Sequence, residues 1–196
     1  MCATKIDNRR DLLLLLLFSP GARTDVNEPI VGRTRLVKML FLFKAEVLTH
    51  FHKGTSIAPE EFYSFFPWDF GPFSTDVYDD LTFFILRGFV ESSDTETEPL
   101  PESAQEWEQW LQNAEVDEAT DSFGEYHEES FRLSDKGADF ASHLYESLSQ
   151  SQKEVLRTFK ARTSRAPLRA LLRYIYETYP DMTTRSRIRS EVVGTP

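Results

Sequence analysis

Apolar and polar residues alternate along this chain with two different periods, and the period changes at glycines and prolines. Residues 7–18 read as a first helix around the unbroken apolar run Leu12 to Phe18, and Pro20-Gly21 ends it. Ala22 to Ile30 reads as loop. Gly32-Arg33-Thr34-Arg35 opens a second helix, with Thr34 the expected N-cap. Leu36, Leu40, Phe43 and Val47 then recur at spacings of three and four, the repeat of one helical face. Val37, Phe41, Leu48 and Phe51 widen that stripe until Lys38, Lys44 and Glu46 mark the polar side. This helix is expected to be central and mostly buried, ending near His52-Lys53-Gly54.

Pro59 to Phe66 suits a short helical turn or a strand. Pro67-Trp68-Asp69-Phe70-Gly71-Pro72-Phe73-Ser74 mixes rings with Pro and Gly, which predicts a loop that displays them. Ser74 is placed to cap the next helix, with Asp76 suited to its positive end and Val77, Leu81, Phe84 and Ile85 on its apolar side. Gly88 stops that helix, and Phe89-Val90-Glu91 begins a strand. His127 to Leu133 alternates as the partner strand, with Phe131 and Leu133 on one side and Arg132 on the other. Ser134 caps a helix through Leu148 that buries Ala138, Ala141, Leu144 and Tyr145. Gln150 to Arg162 forms a further helix. Pro167 suits the first turn of another, which buries Leu168, Leu171, Leu172, Ile175 and Tyr176 and ends at Tyr179-Pro180. Thr183 or Thr184 caps a short tail.

Three helices followed by a two-stranded ribbon predict a mainly α protein with a small β-ribbon: a winged helix-turn-helix-like core with added C-terminal helices. Residues 1–148 form that core, interrupted by an insertion at about 91–130 that would enlarge the wing tip. Residues 149–196 form a helical extension of a kind that docks on a partner or makes a homodimer.

Composition narrows the class. The chain has 196 residues, 40% hydrophobic and 28% charged, which is globular rather than disordered. The single Cys2 excludes a disulfide framework and a Cys-based zinc site. The apolar run of seven residues is far short of the roughly 20 that span a membrane. Asp7 and Asp11 interrupt its basic flank, and Pro20 and Arg23 make a poor cleavage site, so it is not read as a signal peptide. A cytoplasmic protein that does not enter a membrane is the expectation.

The net charge of −10 conceals two opposed regions. Residues 91–130 hold 14 acidic side chains and no Lys or Arg, while Lys153 to Arg189 hold ten basic residues against Glu154, Glu177 and Asp181. The acidic segment is either a solvated insertion or a surface that binds a basic partner, mimics nucleic acid or covers the basic stretch of the same molecule. Trp107 and Trp110 inside it share a helical face, which predicts a short docking helix near Ala104 to Ala114. The basic stretch, with Arg165, Arg169, Arg173, Arg185 and Arg187, either contacts phosphates or lays its stems along apolar surface. Arg33, Arg35 and Lys38 crowd a helix start, where positive charge is mildly unfavourable. They therefore call for a compensating partner, either internal or in a bound molecule. Trp68, Phe70, Phe73 and Tyr78 either seal the core or form a recognition patch.

No arrangement for catalysis is visible, and no cofactor or metal is expected. His50, His52, His127 and His143 lack the spacing of a metal site. Glycine-rich phosphate loops, nucleophile elbows and zincin motifs are missing from the sequence. The adjacent carboxylates Asp79-Asp80 and Glu128-Glu129 diverge on any regular element and read as solvated.

Three segments together resemble one family. Gly32 to Leu42 is similar to the "GRTKLQKLVYL" helix of the YwgA-like proteins and the related Panacea (SocA-like) antitoxin domains. Asp69 to Ser74, followed by Val77-Tyr78 and Leu81, resembles their "YGPYS" segment. Phe131-Arg132-Leu133-Ser134-Asp135-Lys136-Gly137 resembles their "Y.LT.KG" segment. The match runs over roughly residues 9–148, while the acidic insertion and basic tail depart from the short members. The resemblance implies a winged-helix-like domain without chemistry of its own, which neutralises a toxin by direct binding or adapts a partner for proteolysis. The expected function is thus a non-catalytic protein-binding module in toxin control or phage defence, its partner encoded by a neighbouring gene. The competing expectation is a DNA-binding transcriptional regulator that contacts DNA through the basic C-terminal segment.

Overall fold

The protein, in a computed structural model, is described at residues 6, 8–22, 25–48, 61–93 and 129–193, and it is mainly helical with a small antiparallel sheet. Helix α1 (Arg9–Phe18) starts at Asn8, whose side chain accepts from the amides of Arg10 and Asp11. Every residue from Asp11 to Phe18 is buried, as expected of a helix that is apolar all round. It lies against the fourth helix and the central strand described below.

Strand β1 (Ile30–Val31) falls where the sequence reads as loop. Two residues carry too little alternation to register as a strand. The side chain of Asn27 extends the ladder: its Nδ2 donates to Leu133 O at 2.9 Å and its Oδ1 accepts from Leu133 N at 2.8 Å. Helix α2 (Arg33–Leu42) continues into a π-helical turn, Phe43–Val47. Its N-cap is Gly32, not Thr34.

The aromatic segment is a β-hairpin rather than a loop, made of β2 (Phe66–Trp68) and β3 (Gly71–Phe73). Phe66 pairs with Phe73, Pro67 with Pro72 and Trp68 with Gly71. Helix α3 (Thr75–Leu86) follows Ser74, which occupies the cap position without making a side-chain capping bond. Strands β4 (Val90–Ser92) and β5 (Ser130–Leu133) complete a three-stranded antiparallel sheet in the order β1-β5-β4. Phe131 and Leu133 point into the core and Arg132 outward to Glu91, as the alternation predicts.

Helix α4 (Asp135–Ser147) is capped by Ser134, whose Oγ accepts from Gly137 N at 3.1 Å. Gly137 permits a close crossing. A Cβ there would lie 2.0 Å from Phe89 O, the carbonyl that also accepts from Ser134 N. Helix α5 (Gln150–Arg165) begins in a capping box between Ser149 and Gln152 and runs three residues past the expected end at Arg162. Helix α6 (Leu168–Thr178), a 3-10 turn (Pro180–Thr183) and α7 (Arg189–Val193) follow.

The core has two parts that meet on α2. Leu36, Val37, Met39 and Leu40 join the main cluster with α1, α3, the sheet and α4. Phe41 and Leu42 face a second cluster with Leu171, Leu172, Ile175 and Tyr176 of α6, Ile188, and Val192 of α7. The C-terminal extension is thus built into the body, since α5 also adds Leu156 to the main cluster. His50, His52, Trp107, Trp110, His127 and most of the acidic segment lie outside the described residues. Among the described residues no helix is long and apolar enough to cross a membrane.

Candidate functional site

The β2–β3 hairpin places Phe66, Trp68 and Phe73 on one side of a two-stranded ribbon, because paired and alternate residues share a face. Trp68 is 40% exposed and Phe66 37%. Their rings meet edge to face at 6.0 Å, and Phe73 lies 5.6 Å from Phe66 and 6.3 Å from Trp68. Tyr78, one turn into α3, continues the row 5.1 Å from Phe73. Phe70, at the hairpin turn, is half-buried against the second core cluster.

Cations close both ends of this row. The guanidinium of Arg185 lies 5.0 Å from the Trp68 ring centre, and that of Arg33 lies 5.2 Å from the Tyr78 ring and 5.6 Å from Phe131. Burial raises the Tyr78 phenol above its ordinary range, against the opposing pull of Arg33. The phenol therefore stays neutral and the row is a stack of uncharged rings between two arginines.

The base of the hairpin is fixed from beneath. Lys38 is buried, and its Nζ donates to Pro72 O at 2.9 Å. With desolvation unopposed by any carboxylate, burial pushes its amine down to about 7. Gly71 has a φ of +85°, and a Cβ there would approach the Tyr176 ring to 3.0 Å. The tail clasps the turn from outside: Arg187 N donates to Asp69 O at 2.8 Å and its guanidinium pairs with Asp69 at 3.1 Å.

The basic residues at the start of α2 find partners within the chain. Arg33 holds Glu129 through Nε at 3.0 Å and Nη2 at 2.8 Å, and Ser92 Oγ donates to the same carboxylate at 2.7 Å. One carboxylate of the acidic stretch is thus a compensating partner. Arg35 Nη1 donates to Thr163 O at 2.9 Å and Ala166 O at 2.6 Å, capping the C-terminus of α5 and accounting for its extra turn. Lys38, under the hairpin, has no exposed face for a phosphate.

Several tail arginines are also bound to the body. Arg165 Nη2 donates to Ala22 O at 2.5 Å and Arg173 Nε to Val192 O at 3.3 Å. Arg169 is half-buried in the first turn of α6. Arg185 is the exception among the residues singled out in the sequence. It is exposed, and among the described residues it makes no ion pair, only the contact with Trp68.

Two features escaped the sequence reading. Phe66 belongs to the exposed row, and its position two residues before Trp68 is the signal a strand reading would have used. Asp80, expected to be solvated beside Asp79, is 1% exposed. It receives Arg9 Nε at 2.9 Å and Arg10 Nε at 2.7 Å, and Arg9 also reaches Asp76 at 2.9 Å. Asp79 is exposed as expected. Helix α3 carries these three Asp residues and no Lys or Arg. Among the described residues no group of three or more His, Cys, Asp and Glu is placed to hold a metal ion. Comparison with protein-family models, with curated proteins and with solved structures finds no match.

Proposed function

We propose that this chain is a non-catalytic, cytoplasmic protein-binding module, antitoxin-like or an accessory subunit, in a bacterial toxin-control or phage-defence system. The carrying observation is the hairpin: two exposed rings, backed by two more and held from both sides by the tail and Lys38. Rigid aromatic side chains are the residues that anchor protein interfaces, because they bury large apolar area at small entropic cost. The resemblance to the Panacea group supports the reading, since its three segments fall at α2, the hairpin with α3, and the β5–α4 junction. A sheet of order β1-β5-β4, with β1 between α1 and α2 and the β4–β5 ribbon after α3, supports a winged-helix arrangement with the hairpin inserted before its third helix.

Co-expression with the products of adjacent genes tests this. One of them should co-elute with the full chain. Phe66→Ala with Trp68→Ala should weaken that complex at least about 10-fold, as loss of an anchor of about 1.4 kcal/mol or more does, without lowering the melting temperature by more than a few degrees. A chain that remains alone with every neighbour counts against the proposal.

The winged-helix arrangement also suits a DNA-binding regulator. The helix that would enter the groove is α3, however, and it carries Asp76 and the exposed Asp79 with no Lys or Arg to meet phosphate. Gel shifts at low salt with the gene's own promoter should show no complex. A complex that weakens steeply with salt would favour the regulator instead.

A further inference from the structure

We infer that the aromatic hairpin takes an acidic peptide segment of the protein partner, a carboxylate seating against Arg185 while an apolar side chain covers Phe66 and Trp68. This deepens the protein-binding reading and rests on it.

The argument is one of charge around an apolar patch. Four cations border the hairpin: Arg33, Lys38, Arg185 and Arg187. Among the described residues two carboxylates answer them, Glu129 at Arg33 and Asp69 at Arg187. Lys38 is spent on a backbone carbonyl beneath the ribbon, which leaves Arg185, among the described residues, as the exposed cation of the four without a carboxylate partner. Its guanidinium is already oriented by the Trp68 ring, so a carboxylate meets a prearranged donor fork. The exposed edges of Phe66 and Trp68 adjoin that fork and offer the apolar contact. A basic segment would meet Arg185 with like charge, and the cost of that juxtaposition excludes it. A nucleic acid strand would stack on the rings but would find there, among the described residues, one arginine without a carboxylate partner, short of the several cations that backbone binding uses.

The experiment is selection of a phage-displayed random peptide library on the immobilised full chain, in parallel with Arg185→Glu and Trp68→Ala variants. Both sites are on the surface, and melting curves establish that each variant is folded. The full chain should enrich peptides with Asp or Glu next to a large apolar residue. Arg185→Glu should switch the enriched charge to Lys and Arg, and Trp68→Ala should abolish enrichment. A peptide from the first selection, synthesised and labelled, should lose affinity about fivefold or more on Arg185→Glu, the size of an exposed charge pair turned repulsive. It should also weaken as salt is raised. Enrichment of apolar peptides without charge bias, unchanged by Arg185→Glu, overturns the acidic-segment inference and leaves the protein-binding reading intact. Absence of enrichment together with tight binding of labelled oligothymidylate overturns both.

Discussion

Single residues carry much of the fold's specificity, and two kinds of residue make it measurable. Gly137 packs its Cα against the Phe89 carbonyl, so Gly137→Ala should cost about 2–3 kcal/mol, the range of an overpacked contact that backbone cannot relieve. A urea denaturation midpoint checks this. The second kind is the buried amine. Lys160 is fully buried, and its Nζ donates to Leu17 O at 2.7 Å and Ser19 O at 2.8 Å, capping α1. Burial pushes it, like Lys38, down from 10.5 to about 7. Between those values the unfolded chain holds more protons than the folded one, so stability must rise with pH from about 7 towards 10. Below pH 7 both states are protonated and the full cost of burying the charges remains. The melting temperature should therefore climb from pH 7 to 9.5, and Lys160→Met should flatten the climb. A flat profile in the native chain would contradict the burial of these amines.

At the level of elements, helices were legible where apolar spacing is regular and long. Leu36 to Val47 announces α2, and Ser134 announces α4, because each pattern spans several turns or sets a cap. The two-residue β1 and the hairpin were not legible. Pro67 and Pro72 look like strand breakers, yet in a two-stranded ribbon they sit opposite each other, where their lack of N–H groups is tolerated. The π-helical turn was equally hidden, since nothing in Phe43 to Val47 differs from ordinary helix. Its Glu46 accepts from Tyr174 Oη at 2.8 Å and Tyr179 Oη at 3.0 Å and so links α2 to α6. The aromatic row was half legible: Trp68, Phe70, Phe73 and Tyr78 were found by composition, Phe66 only by geometry. Asp80 was misread because adjacent acids look solvated until two arginines 70 residues away arrive. Asp80→Asn leaves Arg9 and Arg10 without that charge at the α1–α3 contact. It should cost about 2–3 kcal/mol, a partly exposed version of a broken buried pair. Thermal unfolding of the variant measures it.

On the scale of the whole molecule, helices α5 to α7 cover faces that α1 and α2 leave open among the described residues. Removing residues 166–196 would bare Phe41 and Leu42. That truncation should bind a hydrophobic dye and elute as aggregate in size-exclusion chromatography, whereas an independent extension would come away cleanly. The charge asymmetry noted in the sequence resolves along the same line, because many tail arginines are fasteners and few are free to greet another macromolecule. Lys160 gives this architecture a temporal dimension. The carbonyls it caps belong to residues 141 and 143 positions earlier. At about 5–20 residues per second of translation, the leucine helix is synthesised roughly 7–30 s before its lysine. Its apolar sides have by then been given their partners on α2, α3, β5 and α4, so the last thing the leucine helix receives is the closure of its own carbonyl end.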